Sequence, residues 1–272
     1  MTTATATTAV EPRKPAAGNV TMIRVLRSEW TKLRSVRSTW WMIAITAALT
    51  IGLGVGLSAV TASARHPSLD PGGFAVRAEF GNLLGQLTIG VLAVLLITGE
   101  YESGMILASL AVVPRRLPVL WGKLGVLTAL ALPVTLASSV AAFALGQVVW
   151  RAHGLKGIGF ADPDVTRIVV GSALALVVTA ICGLGVGALL RSTAGGITTV
   201  VGVFFVLPVL AGELPKNVAD LARFLPSNAG DALWGFALSP VPMAPWTGFA
   251  LLCGYAAALV AAAAWRLSHG DA

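Results

Sequence analysis

Charge is scarce in this sequence. Lys, Arg, Asp and Glu make up 11% of its 272 residues, 56% are hydrophobic, and the mean hydropathy is +0.82. A soluble globular domain carries about 25% charged residues, so a water-facing surface cannot be assembled from this set. Cysteine is nearly absent: Cys182 and Cys253 both fall inside apolar runs, which excludes a disulfide framework or a Cys/His metal site and leaves them as small packing residues. The three histidines, His66, His153 and His269, lie outside the apolar runs and read as solvated. No run carries an ionisable side chain deep within it, which argues against proton relays and ion-coupled transport. Catalytic motifs are missing too. There is no HExxH or GxSxG, and the nearest approach to a phosphate-cradling loop, Gly122-Lys123, is followed by Leu124 and has Leu117 where the first glycine belongs. No catalytic residue and no metal ligand is therefore assigned. The basic residues flank apolar runs instead of decorating a soluble fold, which removes nucleic acid as a partner.

What is abundant is uncharged chain. Runs at about 39–63, 80–98, 124–150, 168–190, 192–212 and 246–265 each hold about 19 residues or more. At about 1.5 Å per residue each crosses a hydrocarbon core of roughly 30 Å as a helix. They are apolar on every side, unlike the alternating strands of a barrel. The expected fold is all-α, an integral membrane protein with six transmembrane helices over 39–265. With both termini cytoplasmic, the inner segments hold 12 of the 19 Lys and Arg residues and the outer loops 7, the bias that favours this orientation.

Residues 1–19 and 266–272 are expected as cytoplasmic tails. The first is rich in Thr, Ala and Pro, lacks the pattern of a secretory signal, and reads as disordered. Residues 20–38 place Ile23, Leu26, Trp30 and Leu33 at helical spacing, with Arg24, Arg27, Lys32 and Arg34 largely off that stripe. This predicts an amphipathic helix lying in the membrane interface, its cations near anionic lipid or a protein partner. Trp40 and Trp41 open the first span as an aromatic belt. Gly52/Gly56 and Gly183/Gly187 have the GxxxG spacing that lets helices approach closely, and Pro133 and Pro208 are expected to kink the third and fifth spans. In the long last loop, 213–245, Leu214, Val218, Leu221 and Leu225 form one stripe and 229–239 a second apolar piece. Both read either as short amphipathic helices dipping into the outer leaflet or as a loop packed on the outer surface.

The stretch 99–116, GEYESGMILASLAVVPRR, has two carboxylates at its start and two arginines at its end. Glu100 and Glu102 suit a helix start and Arg115 and Arg116 a helix end. Ser103 fits an N-cap and Pro114 a stop, so a helix of about 103–113 is expected across the cytoplasmic face. Met105, Ile106, Leu107, Leu110, Val112 and Val113 make it too apolar to stand in water uncovered. At the membrane border Glu100 needs a cationic partner, with Lys32 or Arg34 as candidates.

GEYESGMILASLAVVPRRLPVLWGKLGV resembles the cytoplasmic stretch after the second span of ABC-2 type permeases, the membrane subunits of one class of ABC exporter. LRSEWTKLRSVRSTWW is similar to the interfacial helix and first-span entry of the actinobacterial branch, and the likeness runs over essentially the whole chain. Glu100, Tyr101, Gly104, Pro114, Arg115 and Arg116 match the family's elements, while Met105 and Leu107 stand where it often has threonine and arginine. The resemblance implies a coupling helix seated on an ATPase, carried by Glu100, Tyr101, Glu102, Ser103, Gly104, Met105, Leu107, Pro114, Arg115 and Arg116, with the interfacial helix beside it. It implies two copies of a separate cytoplasmic ATPase that binds ATP and Mg, a second permease copy, identical or related, and export across the cell membrane. This chain itself would hold no cofactor. A hydrophobic or amphipathic cargo would pass uncharged residues such as Gln86, Thr88, Thr198 and Thr199. Two other functions fit less of the sequence: an enzyme acting on lipid or polyprenyl phosphates, and a non-transporting immunity or sensor subunit that binds an ATPase.

Overall fold

The computed structural model describes residues 21–64, 70–104, 117–213, 215, 220–236 and 243–269, and among these it is helical without a strand. The tail 1–19, residues 105–116 of the expected coupling helix, and Leu214 and Val218 lie outside the described residues. Six helices are long and apolar enough to cross a membrane. They are α2 (Arg37–Ser63), α4 (Asn82–Glu102), α5 (Leu117–Ala152), α6 (Pro163–Leu190), the composite fifth span Thr193–Gly212, and α10 (Pro245–His269). The amphipathic α1 (Met22–Ser35) precedes them, and the short α3 (Pro71–Ala78) precedes α4. With six crossings, α1 and the end of α10 share one side of the bundle, here the α1 side; α3 and the long last loop occupy the far side.

Helix starts follow local chemistry. Asp70 and Asp162 cap α3 and α6, each followed by proline at the first helical position, where no amide donor is needed. Ser192 caps the fifth span by accepting from Gly195 N at 3.3 Å. That span comprises α7 (Thr193–Val201), a π-helical turn at Gly202–Val206 and α8 (Leu207–Gly212). The wide turn lies just before Pro208, which cannot donate to the preceding carbonyls. Pro133 behaves differently: α5 runs unbroken through it.

The central helix is α6, with 78% of its apolar window buried, against 28% for α2 and 22% for the fifth span. Leu176 and Leu184 of α6 pack with Ile89 and Leu92 of α4, Leu120 and Leu127 of α5, and Val260 of α10. Of the two GxxxG pairs, Gly183 lies against the backbone of Gly90 and Gly187 against Val94 and Ile97, whereas Gly52 and Gly56 face open space. In the first span it is Gly54 that makes the close approach, to the carbonyl of Ala78.

Of the two readings of the last loop, its second apolar piece follows the one in which the chain packs on the protein. Leu221, in a 3-10 turn at Asp220–Phe224, is exposed, but α9 (Pro226–Asp231) and the turn Ala232–Trp234 are buried against the bundle from Ser227 to Trp234. Gly171 of α6 and Gly248 of α10 make room: a Cβ on either would collide with Leu233 or with the Ala229 carbonyl. The carbonyl of Leu233 accepts from Arg167 Nη1 at 2.7 Å. The segment 226–234 is thus enclosed by protein, and it carries the buried carboxyl of Asp231 with it.

Candidate functional site

At the α1 side four charges from three elements meet. In α1 and α5, Lys32 Nζ lies 2.8 Å from Glu29 Oε1, and Lys123 Nζ lies 2.8 Å from Glu29 Oε2. Glu100, in the last turn of α4, joins both lysines through Oε1, at 3.0 Å from Lys32 and 2.8 Å from Lys123. The side chains of Lys123, Glu29 and Glu100 are only 3%, 7% and 8% exposed, and Lys32, at 29%, is the member nearest solvent. Burying an isolated ion costs several kcal/mol. The alternation of two acids with two bases, each bridging two partners, offsets that cost. Burial alone would lower the Lys32 pKa, but its hydrogen bonds to Glu29 and Glu100 outweigh this and raise it, so Lys32 stays charged well above neutrality.

Of the two cations expected to face Glu100, Lys32 does so; Arg34 is exposed, with its carbonyl accepting from Trp40 Nε1. Sequence reasoning missed Glu29 and Lys123. The buried face of α1 is Val25, Glu29 and Leu33, not the stripe Ile23, Leu26, Trp30 and Leu33. Ile23 and Trp30 point outward, and Leu26 is half-buried. Gly122 and Gly125 of α5 receive α1: a Cβ at Gly122 would lie 2.8 Å from Val25, and one at Gly125 3.1 Å from Leu26. The available signal was Glu29 itself, a lone acid in a basic helix, four residues from both Val25 and Leu33.

The assignment of 100–103 to the start of a new helix is also corrected. Glu100, Tyr101 and Glu102 form the last turn of α4, and Ser103 is its C-cap, in right-handed helical geometry with its hydroxyl donating to Gly99 O at 2.7 Å. Gly104 follows at φ +69°, the left-handed conformation that ends helices and favours glycine. Glu100 therefore sits at the negative end of a helix dipole, which is why it needs two lysines. Tyr101 lies beneath the Arg191 guanidinium, 5.5 Å from the ring centre, joining the end of α4 to the α6–α7 corner; Glu102 is exposed. Met105, Leu107, Pro114, Arg115 and Arg116 lie outside the described residues. The Glu100–Lys123 pair ties the end of α4 to the start of α5, on either side of those residues in the sequence.

The four candidate pathway residues lie on two helices, Gln86 and Thr88 on α4 and Thr198 and Thr199 on α7. Gln86 is buried, its amide donating to Asp231 at 3.3 Å. Thr88 shares a hydrogen bond with Thr46 of α2 at 2.8 Å. Thr199 donates to its own helix at Gly195 O, and Thr198 is exposed on the fifth span. Among the described residues no group of three or more His, Cys, Asp or Glu side chains is placed to hold a metal.

None of the curated proteins compared matches the chain. Residues 25–208, from the buried face of α1 to the proline of the fifth span, match the family described as ABC-2 family transporter protein. With this match and six spanning helices, the chain belongs to the ABC-2 transporter family and is a multi-pass membrane protein of the ABC permease type.

Proposed function

We propose that this permease is driven by a separate ATPase pair that hydrolyses Mg-ATP beneath the α1 side. In this reading the α1 side is cytoplasmic, the membrane is the cell membrane, and the segment 105–116 is the element the ATPase moves. The observation that carries the reading is the Glu100–Lys123 pair at 2.8 Å. A clamp at the base of a segment lets force applied to it reach α4 and α5 together, and Glu29 and Lys32 extend the same link to α1. Two ATPase copies imply two permease copies. The open face of α2 along Ala48, Gly52 and Gly56 leaves room for a second copy or lipid. Uncharged spans suit a hydrophobic or amphipathic cargo, moved outward. The lipid-phosphate enzyme reading gains nothing from this cluster, because Lys32 and Lys123 are neutralised by Glu29 and Glu100, leaving it without net positive charge to bind phosphate; Arg115 and Arg116 lie outside the described residues.

The test is purification from native membranes with a photo-cross-linking residue at position 107. Capture of a subunit whose hydrolysis requires Mg-ATP is expected. Absence of any such subunit from both the cross-linked and the co-purified material would overturn the reading.

A further inference from the structure

At the far side, two carboxyl groups outside the six spans are buried with no cation paired to them among the described residues. Glu79, between α3 and α4, is fully buried, and Asp231, at the end of α9, is 4% exposed. Glu79 Oε2 accepts from Asn82 Nδ2 at 2.7 Å and from Ser172 Oγ at 2.9 Å, and Ser172 shares a hydrogen bond with Ser139. Asp231 Oδ1 accepts from Trp234 Nε1 at 3.1 Å and from Gln86 Nε2 at 3.3 Å. One narrow cleft, lined by Asn82, Gln86, Ser172, Thr179, Asp231 and Trp234, joins the partners of both acids and admits no water-sized sphere. Among the described residues Glu79 Oε1 and Asn82 Oδ1 are buried without a hydrogen-bond partner.

We propose that Glu79 and Asp231 form a proton-binding site that ties insertion of the 226–234 segment to the acidity of the far side. The groups facing Glu79 are Asn82 of α4, Ser139 of α5 and Ser172 of α6; those facing Asp231 are Gln86 of α4 and Trp234, and α10 offers Gly248 and Leu252 to the segment. None of these can compensate a negative charge. Arg167 of α6 is committed to Leu233 O and Asp164. The cleft beside Asp231, which also reaches Glu79's partners Asn82 and Ser172, has no room for water and so none for a hydrated cation; with no cation paired to either acid among the described residues, the ligand that neutralises each carboxylate is a proton. A proton on the second oxygen of Glu79 also explains why that oxygen has no donor aimed at it. Desolvation pushes Glu79 up to about 8 and Asp231 to about 7.

When the segment lifts, Asp231 leaves with it and the cleft walled by Asn82 and Ser172, the partners of Glu79, opens to water; both carboxyls then return to their ordinary acidity and release their protons to the far-side solvent. The seated state binds protons more tightly than the lifted one. Seating is therefore strongest below the hydrated pKa values, weakens as pH rises between about 4 and about 8, and levels off once both states are ionised. Each acid contributes up to tenfold per pH unit inside that window.

Hydrogen exchange of amides 226–234 in the purified full-length protein, corrected for intrinsic rates, tests this. Protection is expected to fall at least tenfold between about pH 5.5 and about pH 7.5, and to change less than about threefold in the Glu79→Gln/Asp231→Asn variant, which carries neutral groups at every pH. Unchanged protection in the unsubstituted protein, or an equal fall in the variant, overturns the proposal. Should the double variant not fold, infrared spectra of the unsubstituted protein and each single variant decide: a protonated-carboxyl band at about pH 6 that weakens in both supports the site, and its absence refutes it.

Discussion

Replacing Lys123 with methionine is expected to destabilise the protein by about 3–5 kcal/mol, the usual cost of removing one partner from a buried ion pair. Methionine fills much the same volume, so the loss is electrostatic. Glu29 and Glu100 would remain at 7% and 8% side-chain exposure with Lys32 alone to balance them. The same change at Lys32, whose side chain is 29% exposed, is expected to cost clearly less, because water can replace part of what is lost. Detergent-induced unfolding of the two variants, followed by circular dichroism, gives the comparison. Hydrogen exchange should show α1 losing protection in the Lys123→Met variant, since Lys123 is the link between α5 and Glu29. Equal destabilisation by the two variants would mean the cluster is not organised around the buried lysine.

Gly54→Ala is expected to be the most damaging single-methyl change in the first span. Its new Cβ would overlap the backbone carbonyl of Ala78, which cannot rotate away as a side chain does, so α2 must separate from the end of α3 at a cost of about 1–3 kcal/mol or more. Gly52→Ala and Gly56→Ala meet open space and gain up to about 1 kcal/mol of helix propensity each. Thermal unfolding of the three variants should order them with Gly54→Ala far below the others. A Gly54→Ala protein as stable as the Gly52→Ala protein would contradict the packing of α2 on α3.

These outcomes bear on what could be read from sequence. The six spans were legible because hydrocarbon thickness imposes a length of uncharged chain, and each of the runs recurs as a helix. Their ends were not. Hydropathy stops at the first charge, whereas backbone hydrogen bonding continues. So α5 begins at Leu117 rather than near 124, α6 at Pro163 rather than 168, and α4 carries Glu100 and Glu102 in its own last turn. Taking those acids for the start of the next helix assigned them to the wrong end of a dipole. The face of α1 was misread for a related reason. A stripe chosen by apolarity ranks Glu29 as outward, yet its burial is set by Lys123, 94 residues away, and no local pattern announces that pairing. Packing of the last loop on the protein was one of two readings the sequence left open; the burial of Asp231 was not legible, because its partner Gln86 lies 145 residues away.

The central claim is that the Glu29–Lys32–Glu100–Lys123 cluster passes movement of the clamped segment into the spanning helices. The most direct measurement is hydrogen exchange of α2, α4 and α5 in the complex with its co-purified ATPase, nucleotide-free and with Mg-ATP, in the unsubstituted protein and in Glu100→Gln. The account expects Mg-ATP to change exchange in these helices by about tenfold or more, and expects Glu100→Gln to abolish that response while hydrolysis continues. A variant that hydrolyses ATP and shows the same response in α4 and α5 would contradict it.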